Sequence, residues 1–156
     1  MRSGIRLGID PGQARIGTAL SDPAGILATP LRTVPVDGQE YAVLSQIVRD
    51  ESVDFIVVGL PLSLSGAWTE STRHARALAT ELSTMVSVPV RMIDERLTTT
   101  SANRTLRATG TSQRAGRSVI DQIAAVTLLQ QALDSERQLG REVGWSIQEV
   151  AEMNND

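Results

Sequence analysis

The sequence predicts an α/β fold, a mixed five-stranded sheet with helices on both faces. Three observations carry this. Residues 5–34 hold three apolar segments joined by short Gly- and Pro-bearing turns, the pattern of an antiparallel meander. After them, helical and strand periods alternate, as parallel neighbours with helical crossovers require. Finally, 156 residues with 41% hydrophobic and 21% charged side chains have the ordinary composition of one globular domain.

Each element has a local reason. Ile5, Leu7 and Ile9 alternate with Arg6 and Gly8, the period of a strand, and Pro11-Gly12 turns the chain. Residues 16–20 and 26–34 read as the second and third strands. Tyr41, Leu44, Ile47 and Val48 then recur at helical spacing. Residues 53–59 form a β-branched run, as expected of a strand buried on both faces. Ala75, Leu78, Ala79, Leu82 and Val86 form the stripe of a second helix, and residues 88–93 a short fifth strand. Helices are expected over 98–109, ended by Gly110, and over 118–137. Residues 1–137 are thus one domain. Residues 138–156 are polar and are expected to be a loosely held tail, either a short helix near 147–153 or disordered.

Composition also excludes function classes. There is no cysteine, and so no disulfide, thiolate nucleophile or cysteine metal site. The apolar run 55–62 is interrupted by Gly59 and Pro61 and is too short to span a bilayer. No apolar leader precedes the first strand, so a cytoplasmic protein with no membrane partner is expected. All fifteen cations are arginine, yet the net charge is −3. Residues 91–117 run against that total, with six arginines facing two acids. Such asymmetry points to a phosphate-facing surface, although a solvated helix face explains it equally well.

Three places could carry chemistry. Asp10 closes an apolar strand inside Gly8-Ile9-Asp10-Pro11-Gly12. Ligands of α/β proteins sit at such strand ends, although Asp-Pro-Gly is also ordinary turn chemistry. Asp94-Glu95-Arg96-Leu97-Thr98-Thr99 places two acids, a cation and two hydroxyls after the last strand. Helix entry explains the threonines, but explains the paired acids less well. Asp121 fits the capping box Ser118-x-x-Asp121, yet it also heads the small apolar stripe Ala124, Ala125, Leu128 and Ala132. A carboxylate buried there needs a cation.

Asp10, Asp121 and one of Asp94 or Glu95 therefore lie at element ends that one sheet could bring together. Oxygen donors without His or Cys select hard ions such as Mg2+ or Mn2+. Two such ions about 4 Å apart drive in-line phosphodiester hydrolysis. Arg15, Arg96, Arg114 and Arg117, with the Thr98 hydroxyl, are the expected substrate contacts. His74 has no ligand-spaced partner. The segment 59–66 is either a pocket floor or a plain connection, and Trp68 is read as packing rather than as a base-stacking platform.

These blocks resemble a known family. Gly8-Ile9-Asp10-Pro11-Gly12-Gln13-Ala14-Arg15-Ile16-Gly17 with Ser21-Asp22, then Val58-Gly59-Leu60-Pro61, Asp94-Glu95-Arg96-Leu97-Thr98-Thr99 and Asp121-Gln122-Ile123-Ala124-Ala125 are similar to the YqgF family, also called RuvX. The likeness covers about residues 5–135, and the Asp-Glu-Arg-Leu-Thr block is its most specific part. It implies an RNase H-like fold and metal-dependent cleavage of structured nucleic acid. The implied substrates are the 5′ end of the 16S rRNA precursor or, alternatively, branched DNA in recombination. Matched residue by residue, Asp10, Glu95 and Asp121 take the metal positions. Ala14 departs from the pattern, which often has a cation there, and Arg117 stands where Lys is frequent. In the RNase H strand order the strand before Asp94 lies beyond the one ending at Gly59, so Glu95 has to reach back about 10 Å to Asp10.

Two other classes compete. A non-catalytic nucleic-acid-binding factor would keep the fold without ordered metals. A phosphate-binding ATPase half-domain shares the Asp-x-Gly turn but needs a second domain. No base-reading motif chooses RNA over DNA. Oligomeric state, a homodimer included, stays open.

Overall fold

The computed structural model describes residues 3–95 and 113–153, with side chains of 113–120 excepted. The meander is present: β1 (Arg6–Pro11), β2 (Arg15–Ser21) and β3 (Ala28–Pro35) are antiparallel neighbours. β4 (Phe55–Leu60) lies parallel to β1, and β5 (Val90–Asp94) parallel to β4. The sheet has six strands, not five, in the order β3-β2-β1-β4-β5-β6. The sixth, β6 (Trp145–Ser146), comes from the tail and pairs antiparallel with β5. Two residues are too few to show a period, which is why the sequence hid it.

Strand parity divides the sheet into two faces. Leu7, Ile9, Ile56, Val58 and Met92 point into the larger core. That core is closed by α1 (Glu40–Asp50) and α2 (Glu70–Met85), through Leu44, Ile47, Ala75, Leu78 and Leu82. The long helix α3 (Gln113–Leu139) covers the other face, burying Ala125, Leu128, Leu129 and Leu133. Among the described residues, no helix is long and apolar enough to cross a membrane.

Three sequence expectations change. The third strand starts at Ala28 rather than Ile26, because the Asp22 carboxylate accepts the Ile26 and Leu27 amides (2.8 and 2.9 Å) and holds them in a turn. The last long helix starts at Gln113, so Ser118 lies inside it and the Ser118–Asp121 capping box does not begin it. Gln, Arg and Ala upstream are good helix formers and carry the helix past that signal. Capping boxes that the fold does use are Thr69 with Thr72, at the start of α2, and Ser146 with Glu149, before residues 147–153.

The described part of the tail, 138–153, is not loosely held. It forms α4 (Ile147–Met153), and Val150 is fully buried in the larger core. Arg91 explains much of this. Its Nε and Nη2 donate to the Val143 and Gly144 carbonyls (2.8 and 2.7 Å), and Nη1 lies 3.5 Å from Glu142. Arg91 thus belongs to the fold, not to a phosphate-facing surface. The helix expected over 98–109 lies outside the described residues.

Candidate active site

Three glycines set the geometry, all on the α3 face of the sheet. Gly17 is the register partner of Asp10, and a Cβ on Gly17 would overlap the Asp121 backbone carbonyl. The helix therefore rests on the β2 backbone there, which brings Asp121 to the strand carrying Asp10. A Cβ on Gly8 would come 2.8 Å from the Leu129 Cβ, so the close packing continues along the helix. A Cβ on Gly59 would overlap a carboxylate oxygen of Glu95. These are positions where a missing side chain admits a neighbour.

Gly59 answers the distance problem raised by strand order. Glu95 follows β5, two strands from β1, and its amide donates to the Leu60 carbonyl (3.3 Å). Its side chain crosses over Gly59 and hydrogen-bonds Asp10. Parity also separates the adjacent acids. Ile93, two residues before Glu95, packs with Leu128 and Ala132 on the α3 face. Met92, two before Asp94, packs in the opposite core. Glu95 is thus the acid that meets Asp10, while Asp94 acts on Glu95 through its charge.

The electrostatics follow from burial. The Glu95 carboxyl is pushed up to about 9, first by desolvation, then by the Asp10 charge and the hydrogen bond Glu95 donates to Asp10, with Asp94 adding to the rise. Burial also raises Asp10; the bond from Glu95 opposes that rise and the Asp121 charge adds to it. Near neutral pH the pair holds one proton, on Glu95, facing an Asp10 carboxylate.

Asp121 comes close enough to act on Asp10 but is bonded elsewhere. Its Oδ2 accepts from Arg15 Nε at 2.9 Å, and Arg15 is 40% exposed. Arg15 therefore reaches from the β1–β2 turn across to the helix. Among the described residues, no three acidic or imidazole groups by themselves form a metal cage. The donor set nevertheless suits a hard cation: two carboxyls in contact, a third next to them, and a proton between the first two that a cation can displace.

Arg96 and Thr98 lie outside the described residues. So do the side chains of Arg114 and Arg117, whose backbone is in the first turns of α3. Sequence reasoning missed Gly17 and left Gly59 undecided. A glycine ending the β-branched run 53–59 was the available signal.

Known proteins agree with this architecture. The solved structure of Thermus thermophilus RuvC in complex with a Holliday junction substrate matches 89% of this chain and 99% of its own, with a TM-score of 0.56 at 14% identity, which shows the shared fold. Curated relatives named "Putative pre-16S rRNA nuclease" are far closer in sequence. The Leifsonia xyli subsp. xyli protein is 48% identical over 150 residues, covering 95% of this chain and 97% of the relative. The Streptomyces avermitilis protein is 48% identical over 155 residues, covering 96% and 98%. The family model described as RuvX, Holliday junction resolvase, matches residues 4–135, a span holding Asp10, Gly59, Glu95 and Asp121, and the chain belongs to that family.

Proposed function

We propose that this chain is a divalent-metal-dependent nuclease that hydrolyses phosphodiester bonds of structured nucleic acid, and that its cellular substrate is the 5′ end of the 16S rRNA precursor. The observation that carries the chemistry is Glu95 crossing Gly59 to bond Asp10 in a desolvated setting. Two half-buried acids sharing one proton form a site that a cation would complete. The choice of rRNA is supported by the printed names of relatives at 48% identity.

Asp10, Glu95 and Asp121 are the residues that would hold Mg2+ or Mn2+, whose charge would supply activation of the attacking water and stabilisation of the leaving oxygen. Glu95 would have to give up its proton for a cation to bind, and Asp121, held by Arg15, would supply the third carboxylate beside the pair. The Arg15 guanidinium, partly exposed at the same rim, would take a substrate phosphate. Arg96, Arg114, Arg117 and Thr98 are assigned as further substrate contacts from their motifs alone. Asp94 tunes Glu95 without ligating.

Branched DNA is the second reading, favoured by the family description and by the RuvC fold. One experiment separates the readings. Purified protein is given labelled pre-rRNA leader, a four-way junction and a single strand, with Mg2+, Mn2+ or chelator. We expect metal-dependent cleavage of the leader, lost in Asp10→Asn while binding persists, since Asn keeps the shape without the charge. Cleavage of the junction alone moves the substrate to DNA. Tight, salt-sensitive binding without cleavage in any metal leaves a binding factor.

A further inference from the structure

We infer that His74 is a positioning residue for this site: from α2 it clasps the β1–β2 turn that carries Asp10 at one end and Arg15 at the other. The inference rests on the functional reading above. His74 is the chain's one histidine, and its Nε2 donates to the Gly12 carbonyl at 3.1 Å, across 62 residues of sequence. Gly12 lies two residues after Asp10 and three before Arg15. The turn between them is tight, since a Cβ on Gly12 would overlap the Arg15 carbonyl. Its far side is fixed by the Val36 amide, which donates to the Ala14 carbonyl at 3.0 Å.

The same stretch of α2 holds a second strand exit. Thr72, two residues before His74, donates through Oγ1 to the Pro61 carbonyl just beyond β4. Pro61 follows Leu60, whose carbonyl accepts the Glu95 amide, and Gly59, over which Glu95 crosses. One end of α2 thus grips the exits of β1 and β4, and the Asp10–Glu95 bond spans the gap between them. An Asp10 carried on a loosened exit loses the geometry that ligation and in-line attack need. His74 touches neither acid, so it acts through the backbone it holds.

The test uses the full chain with His74→Ala and His74→Gln, the latter keeping a nitrogen donor. Three quantities are read: amide exchange of residues 12–15 in metal-free protein, Mn2+ affinity without substrate, and kcat and KM for cleavage. His74→Ala should speed exchange in that turn and not in α1. It should also weaken Mn2+ binding and lower kcat, each about fivefold, the scale of one net hydrogen bond, with KM unchanged. His74→Gln should recover most of each loss. Unchanged exchange and Mn2+ affinity in His74→Ala overturns the clasp. So does a Gln variant as impaired as Ala, or a loss that follows a general fall in melting temperature with exchange raised throughout. Wild-type protein that neither binds Mn2+ nor cleaves overturns the functional reading instead, while exchange in the turn still reports on the bond.

Discussion

The two ends of β1 handle buried charge in opposite ways. Arg6, Gly8 and Asp10 alternate onto the same face, under the same helix. At the amino end Arg6 is 2% exposed and well satisfied: it bonds the Gly4 carbonyl (2.7 Å) and Glu136 (2.9 Å), and its guanidinium lies 5.1 Å from the Phe55 ring centre. At the carboxyl end Asp10 meets another acid, Glu95, and the two share a proton. The first arrangement is what a protein does with a charge it only needs to bury. The second is unfavourable in isolation, and on the proposed function a bound cation would relieve it. Charge of one sign gathered where strands end is what the proposed function uses, and a complete ion pair is the mark of structure.

The sharpest way to break this contrast is Arg6→Ala. It leaves Glu136, 13% exposed, without this partner and should cost about 3 kcal/mol in denaturant unfolding, with cleavage per folded molecule unchanged. A small stability loss with a large activity loss would erase the distinction between the ends.

Gly59→Ala should do the reverse. The new Cβ meets the far end of a side chain, so Glu95 is displaced while the strands stay paired. We expect cleavage to fall more than about tenfold with stability changed by about 1 kcal/mol or less, read by kinetics and melting together. Gly17→Ala, which meets backbone instead, should be far more destabilising and serves as the control.

The shared proton gives a pH signature. Glu95 ionises near 4.5 when unfolded and near 9 when folded, so between these values the native state binds more protons. Metal-free protein should therefore be most stable on the acid side and lose stability as pH rises through this window, by at most about 1.4 kcal/mol per unit for one proton. Glu95→Gln should flatten this slope, and saturating Mn2+ should offset the loss at pH 8. Stability that rises from pH 5 to 8 in chelator would count against the shared proton.

The smallest effect is expected from Arg15→Gln. Its pair with Asp121 is partly exposed, so stability should change by about 1 kcal/mol or less. Substrate affinity should weaken, and the salt dependence of binding should drop by about one phosphate contact. An unchanged salt slope would remove Arg15 from the binding face.

Much of this was legible before any fold was known. The meander, the β-branched strand 55–60 and the two α2-side stripes follow from period and burial, which are local properties. Asp10 stood out because a strand stopped at it. Asp121 was rightly placed on the inner stripe of its helix, but was also credited with a cap, because Ser-x-x-Asp looks the same at a helix start and within one. Arg91 was grouped with the phosphate-facing arginines, since charge counting cannot show that its guanidinium is spent on the Val143 and Gly144 carbonyls.

By itself the sequence determined most of the strands and helices, though not β6 or the start of α3, and singled out the acids Asp10, Asp94, Glu95 and Asp121. The tertiary structure alone decided which acid meets which. Glu95 reaches Asp10 because β4 stands between their strands and ends in a residue with no side chain to block the way. Asp121 joins them because Gly17 lets a helix backbone rest on β2. Periodicity records only whether a side chain faces water or core. The energy of a charge depends on its distance to others, and residues 85 or 106 positions apart in the chain acquire that distance only when the sheet is assembled.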